Sequence, residues 1–398
     1  MKKYKVCVYA ISKNEEKFVD RWYESMKEAD YVVVLDTGST DNTIKKLKSH
    51  KVKVKKKIFE PFRFDAARND SMKLIPKDTD ICVCTDLDEV FEEGWREKLE
   101  NVWDENTARV RYKYTWNFNA DGSEGTVFMA DKIHKYGLYK WTHPVHEILS
   151  PLTTINLKTK DVKEIWLKHY PDSQKSRSSY LKLLELSTKE DPDDDRNMHY
   201  LGREYMFYKM WDKSIETLKK HLNMKNATWL DERCASMRYI SRCYLAKGDI
   251  NSALIWLYRA IAEAPHIREA YIEMAELQYL NNNWYGVIFF AQEALKITNR
   301  LNSYITDPKA WGEYPYDILS IAYYNINDLE SALKNINKAL DISPNNIRIK
   351  NNKLYIKSKM KKEESWFSSF LAYLFSLFNV FISNVNVIKI PNDIARSK

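Results

Sequence analysis

Two carboxylates one residue apart, Asp86 and Asp88, close an apolar run from Thr79 to Thr85. Like charges a few ångströms apart repel strongly away from bulk water, and a hard divalent cation removes that cost. Mg²⁺ and Mn²⁺ accept one or two carboxylates and fill their other positions with water and phosphate oxygens, so the pair suggests a bound diphosphate. The spacing alone is more often a solvated loop or a helix cap. Its weight comes from its place after a strand-like run, because ligands of open α/β sheets sit beyond the carboxyl ends of the strands. Two further clusters fall at equivalent points: Ser12 to Glu15 follows the run Tyr4 to Ala10, and Asp36 follows Tyr31 to Leu35. Asp36 stands where a carboxylate can accept a hydrogen bond from a base or ribose, a role compatible with capping the turn at Gly38. No Gly-x-Gly-x-x-Gly and no Walker sequence occurs, so metal and side chains must hold the phosphates.

The elements that must position these groups are legible over the first 170 residues. Strand signals at Tyr4–Ala10, Tyr31–Leu35, Val52–Phe59 and Thr79–Thr85 alternate with helix signals at Glu15 to about Glu28, after Asp41, and at Phe64–Leu74. Thr40 or Asp41 is the expected N-cap of the second helix. Continuous apolar strands separated by helices predict an α/β fold with a mostly parallel sheet covered on both faces. Arg109–Phe118 then alternates like an antiparallel strand, and Trp141–Glu147 and Glu164–Tyr170 follow as an acceptor-side extension.

Beyond about residue 190 the period changes. Cys234 to Pro265 carries Tyr244, Ala253, Ala260 and Pro265 in the same register in which Glu313 to Pro344 carries Tyr323, Ala332, Ala339 and Pro344. Asp195 to about Lys225, with Gly202 and Tyr205, and Arg268 to about Arg300, with Tyr271, Ala275 and Ala294, are weaker copies. This is the tetratricopeptide pattern of paired helices, which predicts an all-α solenoid with a concave surface. The expected division is residues 1–190, 191–360 and an apolar tail 361–398.

The length of 398 residues fits two or three domains, and 9 glycines with 11 prolines disfavour a turn-rich all-β chain. The net charge of +8 is mild, although Lys45, Lys46, Lys48, Lys51, Lys53, Lys55, Lys56 and Lys57 crowd together. A helix end running into a lysine-edged strand explains that run, and no nucleic acid partner is expected. Five cysteines make no disulfide framework and read as reduced, buried thiols; with no signal-peptide pattern at the amino terminus, the expected location is cytoplasmic. Ser365 to Ile388 carries no charge, with Trp366, Phe367, Phe370, Leu371, Leu374, Phe375, Phe378 and Ile382 at helical spacing. Its serines and asparagines leave it short of a spanning helix, so it reads as an interfacial, membrane-contacting or partner-bound helix, or as a last packing helix.

Four motifs in register give the chain a family resemblance. Ile11-Ser12-Lys13-Asn14-Glu15-Glu16, Leu35-Asp36-Thr37-Gly38-Ser39-Thr40-Asp41-Asn42-Thr43, Phe64-Asp65-Ala66-Ala67-Arg68-Asn69 and Asp86-Leu87-Asp88 together resemble the family 2 glycosyltransferases of GT-A fold. Val145-His146-Glu147, the His169-Tyr170 strand end and the attached repeats are similar to a narrower group that includes the peptide S-glycosyltransferases of glycocin biosynthesis. The resemblance implies that Asp36 contacts uracil, that Ser12, Arg68 and Asp86 lie at the nucleotide, and that Asp88, assisted by Asp86, holds Mn²⁺ or Mg²⁺. His169 matches the position of a further metal ligand, and its imidazole suits Mn²⁺ better than Mg²⁺.

An inverting transferase needs a carboxylate to take the acceptor's proton while the metal stabilises the departing diphosphate. Glu147 is the candidate base, with His146 helping to position an acceptor hydroxyl or thiol; Asp131 is the reserve. Structurally, Glu147 could instead pair with Lys140. The leading expectation is a transferase moving a sugar from a UDP-sugar to a peptide or protein side chain held on the repeats, with a second copy of the chain as a further candidate partner. The alternatives are a repeat scaffold with a degenerate sugar-nucleotide domain, and a membrane-associated polysaccharide or lipid-linked sugar transferase.

Overall fold

The computed structural model describes residues 4–119, 122–153, 158–172, 179–301 and 303–385. The first half is an alternation of strands and helices: β1 (Val6–Ser12), α1 (Val19–Met26), β2 (Tyr31–Asp36), α2 (Thr43–Ser49), β3 (Lys53–Lys56), α3 (Phe64–Met72) and β4 (Ile81–Thr85). A short β5 (Glu89–Phe91) and α4 (Trp95–Val102) follow, then β6 (Thr107–Thr115), β7 (Val127–Lys135), β8 (Tyr139–Thr142), β9 (Ile148–Pro151) and β10 (Lys158–His169). The main sheet has eight strands in the order β3-β2-β1-β4-β7-β6-β10-β5, and β8 with β9 forms a separate hairpin.

The α/β expectation holds, and the sheet is mixed. β3, β2, β1 and β4 run parallel, but β7 returns antiparallel beside β4. Alternation along β1 serves two cores. Val6, Val8 and Ala10 pack with Trp22 and Met26 of α1 and Trp95 and Leu99 of α4, while Cys7 and Tyr9 pack with Leu74, Tyr139, Trp141 and Leu149 on the other face. The five cysteines are free and buried, as expected. The N-cap of α2 is Asn42, one residue beyond the expected Thr40 or Asp41. Asp41 instead accepts the Thr43 amide at 3.0 Å and the Glu16 amide at 3.2 Å, so its side chain ties the first two polar loops together.

Helices follow from α5 (Tyr180–Glu190). Helices stand at the four expected registers: α6 (Asp195–Phe207) packs on α7 (Trp211–Asn223), α8 (Leu230–Ala246) on α9 (Ile250–Glu263) and α12 (Tyr314–Asn325) on α13 (Leu329–Ile342), while α10 (Arg268–Leu280) and α11 (Trp284–Lys296) occupy the remaining register in chain order. The repeat logic is visible in the packing. Ala253, Ala260, Ala332 and Ala339 are wholly buried, and a Cβ on Gly202 would lie 2.5 Å from the Leu218 side chain of α7, so only glycine allows that approach. Asp249 and Asp328 cap α9 and α13 in the same way, each accepting the amide of a serine three residues on.

The chain divides into two compact units, one of Met1–Glu273 with Ile297–Pro308 and one of Met274–Lys296 with Lys309–Lys398. The sheet and the helices from α5 to α9 therefore share one unit. In the other, the long α14 (Ile347–Val385) buries Ile349 and Ile356 against α13. Its later apolar residues, Trp366, Phe367, Phe370, Leu371, Leu374 and Phe375, are exposed. Among the described residues no helix is long and apolar enough to cross a membrane. Residues 386–388 of the expected apolar stretch lie outside the described residues.

One buried histidine makes folding sensitive to acid. His134 on β7 bonds Tyr9 Oη at 2.9 Å, and burial lowers its pKa from 6.5 to about 4. Between those values the unfolded chain binds a proton that the folded chain does not, so stability is complete above the unfolded value and falls as pH drops towards the folded one. The slope is about 1.4 kcal/mol per pH unit for this group. Urea titrations at pH 7.5 and pH 4.5 are expected to differ less for His134→Gln than for the unsubstituted protein.

Candidate active site

The carboxyl ends of β1, β2 and β4 bring three of the expected clusters to one rim. Ser12 and Asp36 are register partners on β1 and β2, and Ser12 Oγ donates to Asp36 Oδ2 at 3.0 Å. Asp36 Oδ1 accepts the amides of Gly38 at 3.0 Å and Ser39 at 2.8 Å, and Oδ2 also accepts the Ser39 hydroxyl. Gly38 takes φ +121°, which L side chains rarely adopt, so the sequence Asp-Thr-Gly-Ser builds its own turn around a buried carboxylate. The turn-capping role of Asp36 is thus realised.

Arg68, at the centre of α3, is the hub. It is almost wholly buried. Its Nη2 donates to both oxygens of Asp86 at 2.9 and 3.1 Å, its Nη1 to Cys84 Sγ at 3.3 Å, and its Nε to Glu147 Oε1 at 2.5 Å. The loop that carries Glu147 is pinned to the same helix: Asn69 exchanges two hydrogen bonds with the backbone of Trp141, and the Phe64 amide donates to Pro144 O at 3.0 Å. His143 and His146 in this loop both adopt positive φ, at 76° and 51°. Strain of this kind persists only where the surroundings over-determine it. Glu147 pairs with Arg68 and not with Lys140.

Lys132 of β7, which sequence reasoning missed, lies 3.4 Å from Asp86 Oδ2 and 3.3 Å from Glu89 Oε1. Its only signal was a lysine between the inward-facing Ala130 and Ile133. Burial would raise the Asp86 carboxyl, but Arg68 and then Lys132 hold it below its ordinary value. Burial does raise Glu89, against the pull of Lys132; Tyr114 Oη donates to it at 2.8 Å.

Asp88 and His169 lie side by side. His169 ends β10, where it pairs in register with Glu89 of β5. Its Nδ1 lies 2.8 Å from Trp116 O, which places the proton on Nδ1 and aims the other nitrogen at Asp88 Oδ2, 3.4 Å away. Burial would lower the His169 pKa, and the Asp88 carboxylate overrides it and raises it. This oriented imidazole beside a carboxylate suits Mn²⁺ and accommodates Mg²⁺ less well. Asp86, by contrast, is turned to Arg68 and Lys132.

The expected His146–Glu147 pair diverges. His146 stacks on Tyr200 of α6, ring centroids 4.0 Å apart, and its carbonyl accepts from Arg196 Nη1 at 2.8 Å. Tyr200 in turn lies beside Tyr304, and Tyr304 beside Trp229. Asp131, the reserve base, pairs with Arg109 at 2.7 Å, outside the Arg68 cluster.

With this geometry in hand, comparison with known proteins bears on the first half. Residues 7–153 match the family Glycosyl transferase family 2. The match takes in every rim cluster from β1 to Glu147, and the matched segment is followed by helical repeats, as the sequence led one to expect. His169 lies beyond the matched span. No curated protein matches the chain. Similar solved structures include the Cut9–Hcn1 hetero-tetramer of APC/C, with 15% identity, 46% of this chain and 33% of that chain covered, and a TM-score of 0.38. MamA, with 19% identity, covers 44% of this chain and 96% of its own, TM-score 0.35. A thermophilic TPR protein of Thermus thermophilus, with 18% identity, covers 45% and 89%, TM-score 0.32. The chain thus spans a third of the length of the first of these.

Proposed function

We propose that the chain is a glycosyltransferase that moves a sugar from a UDP-sugar to a peptide or protein side chain by a single inverting displacement. The observation that carries this reading is the Arg68 bridge, which joins the strand-end carboxylate Asp86 to the loop carboxylate Glu147 within a glycosyltransferase family 2 segment. Asp88 and His169 would hold Mn²⁺ or Mg²⁺, which supplies charge stabilisation to the leaving diphosphate. Ser12 and Asp36 shape the floor of the nucleotide side, and Arg68 sets the position of Asp86 there.

Glu147 takes the acceptor's proton in this scheme. Arg68 occupies Oε1, which fixes the carboxylate and leaves Oε2 to receive the proton as the oxygen or sulfur of the acceptor attacks the anomeric carbon. The loop that carries Glu147 rests through His146 on Tyr200 of α6, and the aromatic row continues through Tyr304, in the connection between α11 and α12, to Trp229 at the N-cap of α8, so an acceptor reaching Glu147 from that side would meet it. Aromatic faces beside an attacking group suit an extended peptide, in keeping with the resemblance to peptide S-glycosyltransferases.

The test is a panel of UDP-sugars with Mn²⁺, following UDP release and the mass of added peptides. One donor is expected to be consumed well above the others. Peptide binding without affinity for any uridine nucleotide would contradict the reading and make the chain a scaffold.

A further inference from the structure

We propose that Asp195, His221 and Glu232 form a second divalent-metal site, built by the starts of α6 and α8 and the end of α7, and independent of Asp88 and His169. One ligand atom from each of the three lies within 4.8 Å of the others. Acidic groups gather on many protein surfaces without binding anything, but Glu232 and His221 are buried. The His221 side chain is 1% exposed, and its Nε2 faces Glu232 Oε1 across 3.5 Å with no hydrogen-bond partner among the described residues. A buried polar nitrogen left unpaired costs about 1–3 kcal/mol, which a cation accepting its lone pair removes. The 3.5 Å gap is long for a hydrogen bond. It matches the donor separation of about 3.3–3.6 Å that bonds of about 2.0–2.2 Å impose around a tetrahedral Zn²⁺.

Each of the three side chains also has a neutral hydrogen-bonding partner. His221 Nδ1 lies 3.0 Å from Ser236 Oγ, Tyr304 Oη donates to Glu232 Oε2, and Asn226 Nδ2 donates to Asp195 Oδ1 at 3.3 Å. Outer partners of this kind fix the tautomer and the aim of metal ligands. The proton positions are consistent as well. Ser236 Oγ also lies 2.8 Å from His199 Nδ1, so the hydroxyl donates to one ring and accepts from the other. If His221 donates from Nδ1, its Nε2 lone pair faces the carboxylates, and the Ser236 hydroxyl donates its hydrogen bond to His199 Nδ1. Two carboxylates and one imidazole suit a borderline cation such as Zn²⁺ or Mn²⁺, with water completing the shell. The ion would clamp α6, α7 and α8 together and fix Asp195 beside Arg196, the residue that holds the His146 carbonyl.

The experiment uses the full chain carrying Asp88→Asn, stripped with a chelator, dialysed and titrated with Zn²⁺ by calorimetry, with bound metal measured by mass spectrometry. About one Zn²⁺ per chain and a raised melting temperature are expected. Adding His221→Gln or Asp195→Asn, each checked for native circular dichroism, is expected to abolish both effects. Asp195 is only half-buried, so its variant remains informative if the His221 variant fails to fold. No bound Zn²⁺ in the Asp88→Asn chain, or equal binding by the folded double variants, would overturn the site.

Discussion

Replacing Arg68 by methionine is expected to lower the stability of the sheet-bearing unit by about 3–5 kcal/mol, the cost of stripping a buried cation from its carboxylates. Arg68 is the largest stabilising charge on Asp86, and it also holds Glu147. Lys132 would still oppose Asp86, but from 3.4 Å it makes a single long contact where Arg68 makes two short ones. The size of the effect distinguishes this pair from the surface pairs of the same protein. Arg111 with Asp161, for instance, is half exposed on both sides and should be worth under about 1 kcal/mol. Urea unfolding of Arg68→Met alone and combined with Asp86→Asn and Glu147→Gln measures the coupling. Neutralising the carboxylates is expected to recover a good part of the loss, because the penalty lies in the unpaired charges and not in the missing side chain. Equal, additive losses would show that the bridge carries no coupling.

Glu147→Gln is expected to lower kcat by about 10²–10⁴-fold while leaving the KM for the sugar donor close to its original value. The amide keeps the shape of the side chain and its contact region beside α3, yet its nitrogen cannot take a proton at neutral pH. Because Asn69 and Phe64 hold the loop independently of the carboxylate, the substituted loop should remain in place. A change confined to KM would make Glu147 a binding group and not the base. Steady-state rates with a saturating acceptor separate the two.

Much of this site could be read from residue types and order. Apolar runs ending in Ser12, Asp36 and Asp86 announced the strand ends, and the two proline-registered repeats announced the helix pairs, because both signals are local and periodic. What the sequence concealed is non-local. Nothing near Lys132 marks it as a partner of Asp86, since the two are brought together by the antiparallel return of β7 against β4. The same return made the sheet mixed where continuous apolar strands suggested parallel neighbours. The adjacency of His146 and Glu147 suggested a working pair, but a backbone at positive φ sends one ring to Tyr200 and the other side chain to Arg68. Asp195, His221 and Glu232 show no motif at all. They stand on three successive helices, and only the packing of those helices assembles them.

The most direct measurement is UDP release from the preferred UDP-sugar with and without Mn²⁺, for the unsubstituted chain and for Asp88→Asn. The account predicts metal-dependent release that falls at least about a hundredfold in the variant, the share expected of a metal stabilising the leaving diphosphate. Equal release by the two proteins, or release indifferent to a chelator, would contradict it.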